Sequence, residues 1–352
     1  MTQRFKKTEG EEQKLYGVHP GRVVETKSRF RHLMALALDP RDHRRGLVRC
    51  ILSRRGDVGV KGFADRSELH LIHGHSLDHY SVGGKLGIKH EAEMIGEMRG
   101  TEWEFIGLED PDIWYDPDDR KTHVYFTIPL RPKEEGAKMR IYLGHAEGRD
   151  LDSLEMTEPV LVDNDPNNRA KEVAIAPKNN QGIRLNLFES ADRIGETRFS
   201  TIRVAICRQA GPPWEFGETV LHPARQSLDW CAGHASPGPL LPRTFIDLGE
   251  GKCLGIINGR QANKRAGKVT LYGVFSVGLM IYDYERGKID WISPWPLIQD
   301  QQAKTITFAS QFIETASGRG ILYAHVDDSF VRAYDLDADA LKSLLPSTSV
   351  IP

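Results

Sequence analysis

Gly107-Leu108-Glu109-Asp110-Pro111-Asp112-Ile113-Trp114 sets two adjacent carboxylates on a turn whose backbone Pro111 restrains. The turn opens into Asp112 to Thr127, an aromatic and β-branched run that reads as strand, turn, strand. Taken alone, Glu-Asp-Pro is an acidic surface bend. Carboxylates fixed at the mouth of a strand are also what glycosidic cleavage uses, because positioned acids and bases carry that chemistry.

Working outward, the same arrangement of a polar or charged site just before an apolar strand occurs five times. The instances are Arg31-His32 before Leu33, Glu109-Asp110 before Asp112, Lys171-Glu172 before Val173, Ser236-Pro237-Gly238 before Pro239, and Lys304-Thr305 before Ile306. Measured at His32, Asp110, Glu172, Leu240 and Thr307, the steps are 78, 62, 68 and 67 residues. Each step holds four short strands punctuated by Gly, Pro, Asp and Asn turns. Helical periodicity is scarce, with Asp337 to Leu345 the clearest candidate. The pattern predicts an all-β chain, a five-bladed β-propeller in one domain over 1–352, whose first strands line a central funnel. Residues 1–15 are expected to be mobile, 16–30 to supply a ring-closing outer strand, and Pro346–Pro352 to form a terminal arm.

Composition sets the outer limits. The 352 residues carry a formal net charge of −2, which gives no global field for nucleic acid or anionic membrane. No stretch reads as a secretory leader or a membrane span, so a cytoplasmic protein is expected. Cys50, Cys207, Cys231 and Cys253 are scattered without a Cys-x-x-Cys pair and are expected to be reduced and buried. No phosphate-binding glycine loop, dinucleotide fingerprint or nucleophile elbow is present.

Several stretches, in order, resemble glycoside hydrolase family 130, five-bladed propellers that act on β-mannosides by phosphorolysis or hydrolysis. Gly107 to Pro111 is similar to the family's Gly-x-Glu-Asp-Pro-Arg motif, and Asn168 to Pro177 to its Lys-Asp-x-x-Leu-Phe-Pro segment, with Glu172 in place of Asp. Gly233 to Gly259, Tyr272 to Asp283, Ile306 to Phe308 and Leu322 to Asp328 resemble its later blades. Family 43 arabinosidases and xylosidases share the Glu-Asp-Pro turn and a Glu before a later inner strand, and a non-catalytic glycan-binding propeller is a third reading.

The resemblance implies an inverting glycosidase acting on an oligosaccharide, with Asp110 as general acid and Glu172 as the second carboxylate. Under the family 43 analogy the roles change, Glu172 becoming the acid and Asp110 its electrostatic tuner. Two departures bear on the attacking group. Asp112 stands where family 130 has Arg, and Asn258 where it has His, so positions that hold phosphate in its phosphorylases are lost. Hydrolysis is therefore expected ahead of phosphorolysis, with inorganic phosphate as the alternative co-substrate and Arg260, Arg243, Lys171, Arg31 and Arg169 as the remaining cations. No other cofactor is expected.

Further substrate contacts are expected from Arg31, His32, Glu109, Lys171, Trp230, His234, Asn258, Arg260 and Asp328. Trp230 has the surface to stack on a sugar face, or to fill a core. His70, His73, His75 and His79 suggest a metal site, but convergent ligands with outer support are not evident. A polar loop over the funnel is expected there, and no metal. The basic run Gly259 to Lys268 is read as an exposed hairpin.

Overall fold

The computed structural model describes residues 15–25, 30–134, 138–162 and 169–347. The expectations for 1–14, 26–29, Asn168 and 348–352 concern residues outside these.

The chain is all-β and is built from successive four-stranded antiparallel meanders. The first sheet takes Leu33–Asp39, Asp42–Arg55, Ala64–Ser76 and His79–Lys85. The second takes Glu109–Asp116, Lys121–Pro132, Arg140–Gly148 and Leu154–Met156. The third runs Lys171–Ala174, Arg184–Ile194, Thr197–Cys207 and Glu215–Leu221, and the fourth His234–Leu240, Lys252–Arg260, Phe275–Asp283 and Lys288–Ile292. A single parallel bridge, Ser200 to His234, links these two. The fifth comprises Thr307–Ala316, Arg319–Val326 and Phe330–Asp337, and its outer strand is Tyr16–Val18 from the other end of the chain, antiparallel to Phe330–Asp337.

The first strand of each sheet touches that of the next, and that of the fifth touches that of the first. The apolar clusters follow the same cyclic order. Leu47 and Phe126 share one between the first and second sheets, Tyr125 and Phe188 one between the second and third, and Leu187 and Tyr282 one between the third and fourth. Leu254 and Leu322 meet between the fourth and fifth, and Tyr323 and Val48 between the fifth and first. The inner strand Leu33–Asp39 is covered on both faces, with Ala37 in one cluster and Leu33, Leu36 and Leu38 in the other, which is why it is buried throughout rather than alternating.

Two helices interrupt the strands. Ala338–Lys342 falls inside the expected Asp337–Leu345 segment, with the Asp337 carboxylate accepting from the Ala340 N–H at 2.8 Å. Glu91–Arg99 was not foreseen; it buries Ile95 and packs Met94 and Met98 on the second-sheet core. No helix of the described residues is long and apolar enough to cross a membrane. All four cysteines are buried and unpaired with one another, and the basic hairpin Lys264–Ala266 with Val269–Leu271 is largely exposed.

Candidate active site

Three inner strands repeat one local distortion. The pairing register shifts between Met34 and Ala37 in the first sheet, between Tyr125 and Thr127 against the second sheet's inner strand, and between Lys171 and Val173 in the third. The residues that absorb the shifts, Ala35, Asp110 and Glu172, take the left-handed φ values 49°, 49° and 50°. That conformation costs a side-chain-bearing residue about 1–2 kcal/mol each, and bulges of this kind re-aim side chains. All three residues line a central cavity of about 370 Å³ whose wall also includes Pro237, Ser310 and His325.

Gly107 makes the approach to this turn feasible. Its φ is +119°, and a Cβ there would lie 1.9 Å from the Ser67 carbonyl oxygen. The Ser67 hydroxyl donates to the Leu108 carbonyl at 3.0 Å, holding the turn against the first sheet.

The Asp110 and Glu172 carboxyls are hydrogen-bonded to one another. Burial raises the proton affinity of both, so surrounding charge decides which keeps the proton. Arg49, on the first sheet, donates to Asp110 Oδ1 at 2.9 Å and to Glu109 Oε1 at 2.5 Å, while its Nε bonds Ser67 at 3.1 Å. Arg49 and then Lys171 outweigh the burial of Asp110 and hold it below the usual carboxylate range. Glu172 is pushed well above its usual range, first by burial and then by the Asp110 charge, against the pull of Lys171 at 3.2 Å. The pair therefore consists of a protonated Glu172 donating to an ionised Asp110. Hydrogen-bonded carboxyls do not leave the roughly 6.5–9.5 Å that an inverting acid and base require. The expectation that Asp110 and Glu172 flank the attacking group as acid and base is corrected on this ground.

Behind the pair lie groups the sequence reading partly missed. Lys171 also faces Glu189 Oε2 at 3.7 Å, and Glu189 binds His234 Nε2 at 3.0 Å. Burial opposes the Glu189 charge, but His234 and Lys171 hold its carboxyl well below the usual range. Glu109 is pushed up to about 7 by burial, against Arg49. Asp112, on the cavity wall, is also pushed up to about 7 by burial, with only the Ile113 N–H opposing. Asp328 accepts from His325 Nε2 at 3.1 Å; burial pushes it up, but His325, Arg49 and Arg54 hold it below its usual range. Arg49 and Glu189 were not among the expected residues. An arginine inside the apolar run Leu47 to Ile51 was the available signal, since a buried cation requires a partner.

Other expected contacts fall elsewhere. Asn258 has no exposed surface; its amide donates to the Ala309 carbonyl at 2.9 Å and accepts from the Ala309 N–H at 2.8 Å, stapling the fourth sheet to the fifth. It is not among the residues that line the cavity, so its departure from the family pattern says nothing about phosphate. Trp230 is a core residue, its indole N–H donating to the Ser293 carbonyl at 3.1 Å. Its ring lies so close to Gly259 and Gly278 that a Cβ on either would come within 2.3–2.4 Å of it. Arg260 lies over Tyr272 at 4.6 Å and bonds Asn263. His32 bonds Ser329 Oγ at 2.8 Å beside the exposed Arg31. His70, His75 and His79 stand on the outer strands of the first sheet with separate partners, Gly83, Ser81 and Glu25, and not on a loop over the cavity.

No protein-family profile matches the sequence, and no curated protein does. Solved structures do match. A candidate glycosidase from Bacteroides thetaiotaomicron VPI-5482 has a TM-score of 0.64 at 14% identity, over 92% of this chain and 96% of its own. The β-1,2-mannobiose phosphorylase of Listeria innocua, in complex with β-1,2-mannobiose, has a TM-score of 0.61 at 12% identity, over 95% and 98%. MPT-4, a mannose phosphorylase from Leishmania mexicana in complex with phosphate ion, has a TM-score of 0.53 at 14% identity, over 94% and 91%. At these identities the likeness is one of fold: the chain shares the architecture of these carbohydrate-active proteins along nearly its whole length.

Proposed function

We propose that the chain is a single-domain five-bladed β-propeller that cleaves glycosides in its central cavity, with Glu172 as the proton donor. The propeller reading rests on the cyclic order of inner-strand contacts and of the apolar clusters. The catalytic reading rests on one observation, the hydrogen-bonded Asp110–Glu172 pair in the cavity wall with Arg49 on Asp110. A buried carboxyl whose proton affinity is raised well above the usual range by burial and a neighbouring carboxylate is a competent general acid. Glu172 protonates the leaving glycosidic oxygen as its bond to the anomeric carbon breaks, and the Asp110 carboxylate stabilises the positive charge developing on the sugar.

Water is the first attacking partner, with Asp328 as the base that takes its proton; Asp328 is ionised and beside His325, which lines the cavity. The product then inverts at the anomeric carbon. Phosphorolysis is a second reading, favoured by Arg169. Its charge is opposed by burial and supported across space by Glu189 and Glu109, and it makes no ion pair among the described residues. A β-mannoside, matching the names of the Listeria and Leishmania proteins, is the first substrate to try, with arabinofuranosides and xylosides as the family 43 arm. The test is a panel of these glycosides incubated with and without inorganic phosphate. Free sugar released without phosphate supports hydrolysis, and sugar 1-phosphate formed only with phosphate supports the second reading. No turnover of any member, with glycan binding retained, would overturn the enzymatic reading.

A further inference from the structure

On the second sheet, away from the carboxyl pair, two buried imidazoles and a carboxylate face one point. His123 stands on Lys121–Pro132, and His145 and Glu147 on the neighbouring Arg140–Gly148, with His123 directly opposite Glu147. Both rings are fully buried, and His123 Nδ1 lies 3.0 Å from His145 Nε2. Glu147 Oε2 is 3.8 Å from His123 Nδ1, and the three atoms all lie within 4.8 Å of one another.

The outward hydrogen bonds fix where the ring protons are. His123 Nε2 is 3.0 Å from Asp119 Oδ2, a carboxylate that only accepts, so this nitrogen carries the proton. The Thr157 hydroxyl donates to the Glu158 carbonyl at 2.9 Å, so at 2.7 Å it accepts from His145 Nδ1. Each neutral ring has then spent its one proton outward. Two lone pairs and a carboxylate oxygen are then brought together, an arrangement that calls for a cation among them, either a metal ion or a proton shared by the two rings.

We propose that His123, His145 and Glu147 bind a divalent transition-metal ion of the zinc class. Two nitrogens each about 2.0–2.1 Å from zinc and 3.0 Å apart subtend about 95°, and the His123–Glu147 spacing corresponds to about 130°. Asp119 and Thr157 supply the outer hydrogen bonds that orient ligating histidines. Lys121 occupies the other Glu147 oxygen, leaving Oε2 to the ion, and the partly exposed Glu147 side admits the water that completes the coordination. This departs from the expectation that the chain holds no metal. His123 is four residues, or about 13 Å of strand, from Thr127, the partner of Glu109. Its ligands lie on two adjacent strands of the second sheet, so the ion braces that sheet rather than acting on substrate.

The test uses the full chain, stripped with a chelator and dialysed. Zinc alone is added in a calorimetric titration, and cobalt(II) alone is followed by visible absorption. Expected are one equivalent of zinc per chain, cobalt ligand-field bands and a higher melting temperature with zinc. Glu147→Gln weakens zinc binding at least tenfold, His145→Ala abolishes it, and the His75→Ala/His79→Ala pair leaves it unchanged. If His145→Ala fails to fold, Glu147→Gln decides, because its side chain reaches solvent. No binding of either ion by the wild type would overturn the proposal, leaving a proton shared between the two rings. So would binding unchanged in Glu147→Gln, or binding lost in the His75/His79 pair.

Discussion

Asp110 and Glu172 are both buried carboxyls in one cavity wall, and the position of a guanidinium separates their roles. Arg49 reaches Asp110 at 2.9 Å, whereas Glu172 has only the Lys171 ammonium, which it shares with Glu189. The pH profile of kcat/KM is therefore expected to fall on the acid side below the usual carboxylate range, as Asp110 takes up a proton. On the alkaline side it falls above that range, as Glu172 loses its own. Asp110→Asn removes the charge that raises Glu172, so the alkaline limb moves to lower pH and turnover drops about 10²–10⁴-fold. An unmoved limb would show that Asp110 does not hold that proton in place. Asn258 gives the opposite kind of prediction. Asn258→Ala strands the Ala309 N–H and carbonyl in the core, costing about 2–4 kcal/mol in a denaturant melt while the folded enzyme keeps its KM. At this scale the acidic pair was legible because charge directly before an apolar strand is conspicuous. Asn258 was misread, and Trp230 was left open between sugar and core, because an amide or an indole serves a core as readily as a sugar, and only burial separates the two.

At the scale of elements, the repeating step of 62–78 residues was readable because each sheet begins with a polar site followed by an apolar run. The register shifts were not, since nothing in the local sequence marks Ala35 as the counterpart of Asp110 and Glu172; the three share only a backbone conformation. That correspondence matters, because the first sheet places a methyl group where the next two place carboxyls. The helix Glu91–Arg99 escaped notice because its apolar face is narrow, only Met94, Ile95 and Met98. The N-terminal strand carries a prediction of its own. Tyr16–Val18 is the outer strand of the fifth sheet, and the Tyr16 ring meets Tyr334 edge-on at 6.0 Å. Deleting residues 1–18 exposes the strand Phe330–Asp337 as an edge and is expected to lower the melting temperature by about 5 °C. An unchanged melting temperature would show that this pairing adds nothing to stability.

Across the whole molecule, the cyclic succession of sheets and apolar clusters brings five inner strands to one cavity, and residues far apart in the sequence supply its chemistry. Arg49, Asp110, Glu172 and Asp328 come from four different sheets or their connections, so their meeting follows from the topology and from no local motif. The proposed chemistry makes a demand that a binding propeller does not share: a proton must reach the leaving oxygen. Leaving groups that need no proton should bypass Glu172. The most direct measurement compares wild type and Glu172→Gln on an unactivated oligosaccharide and on a dinitrophenyl glycoside of the same sugar. The account predicts a loss of roughly 10³-fold or more in turnover on the oligosaccharide and less than about tenfold on the activated glycoside. Near-wild-type turnover on the oligosaccharide, or equal losses on both substrates, would contradict Glu172 as the proton donor.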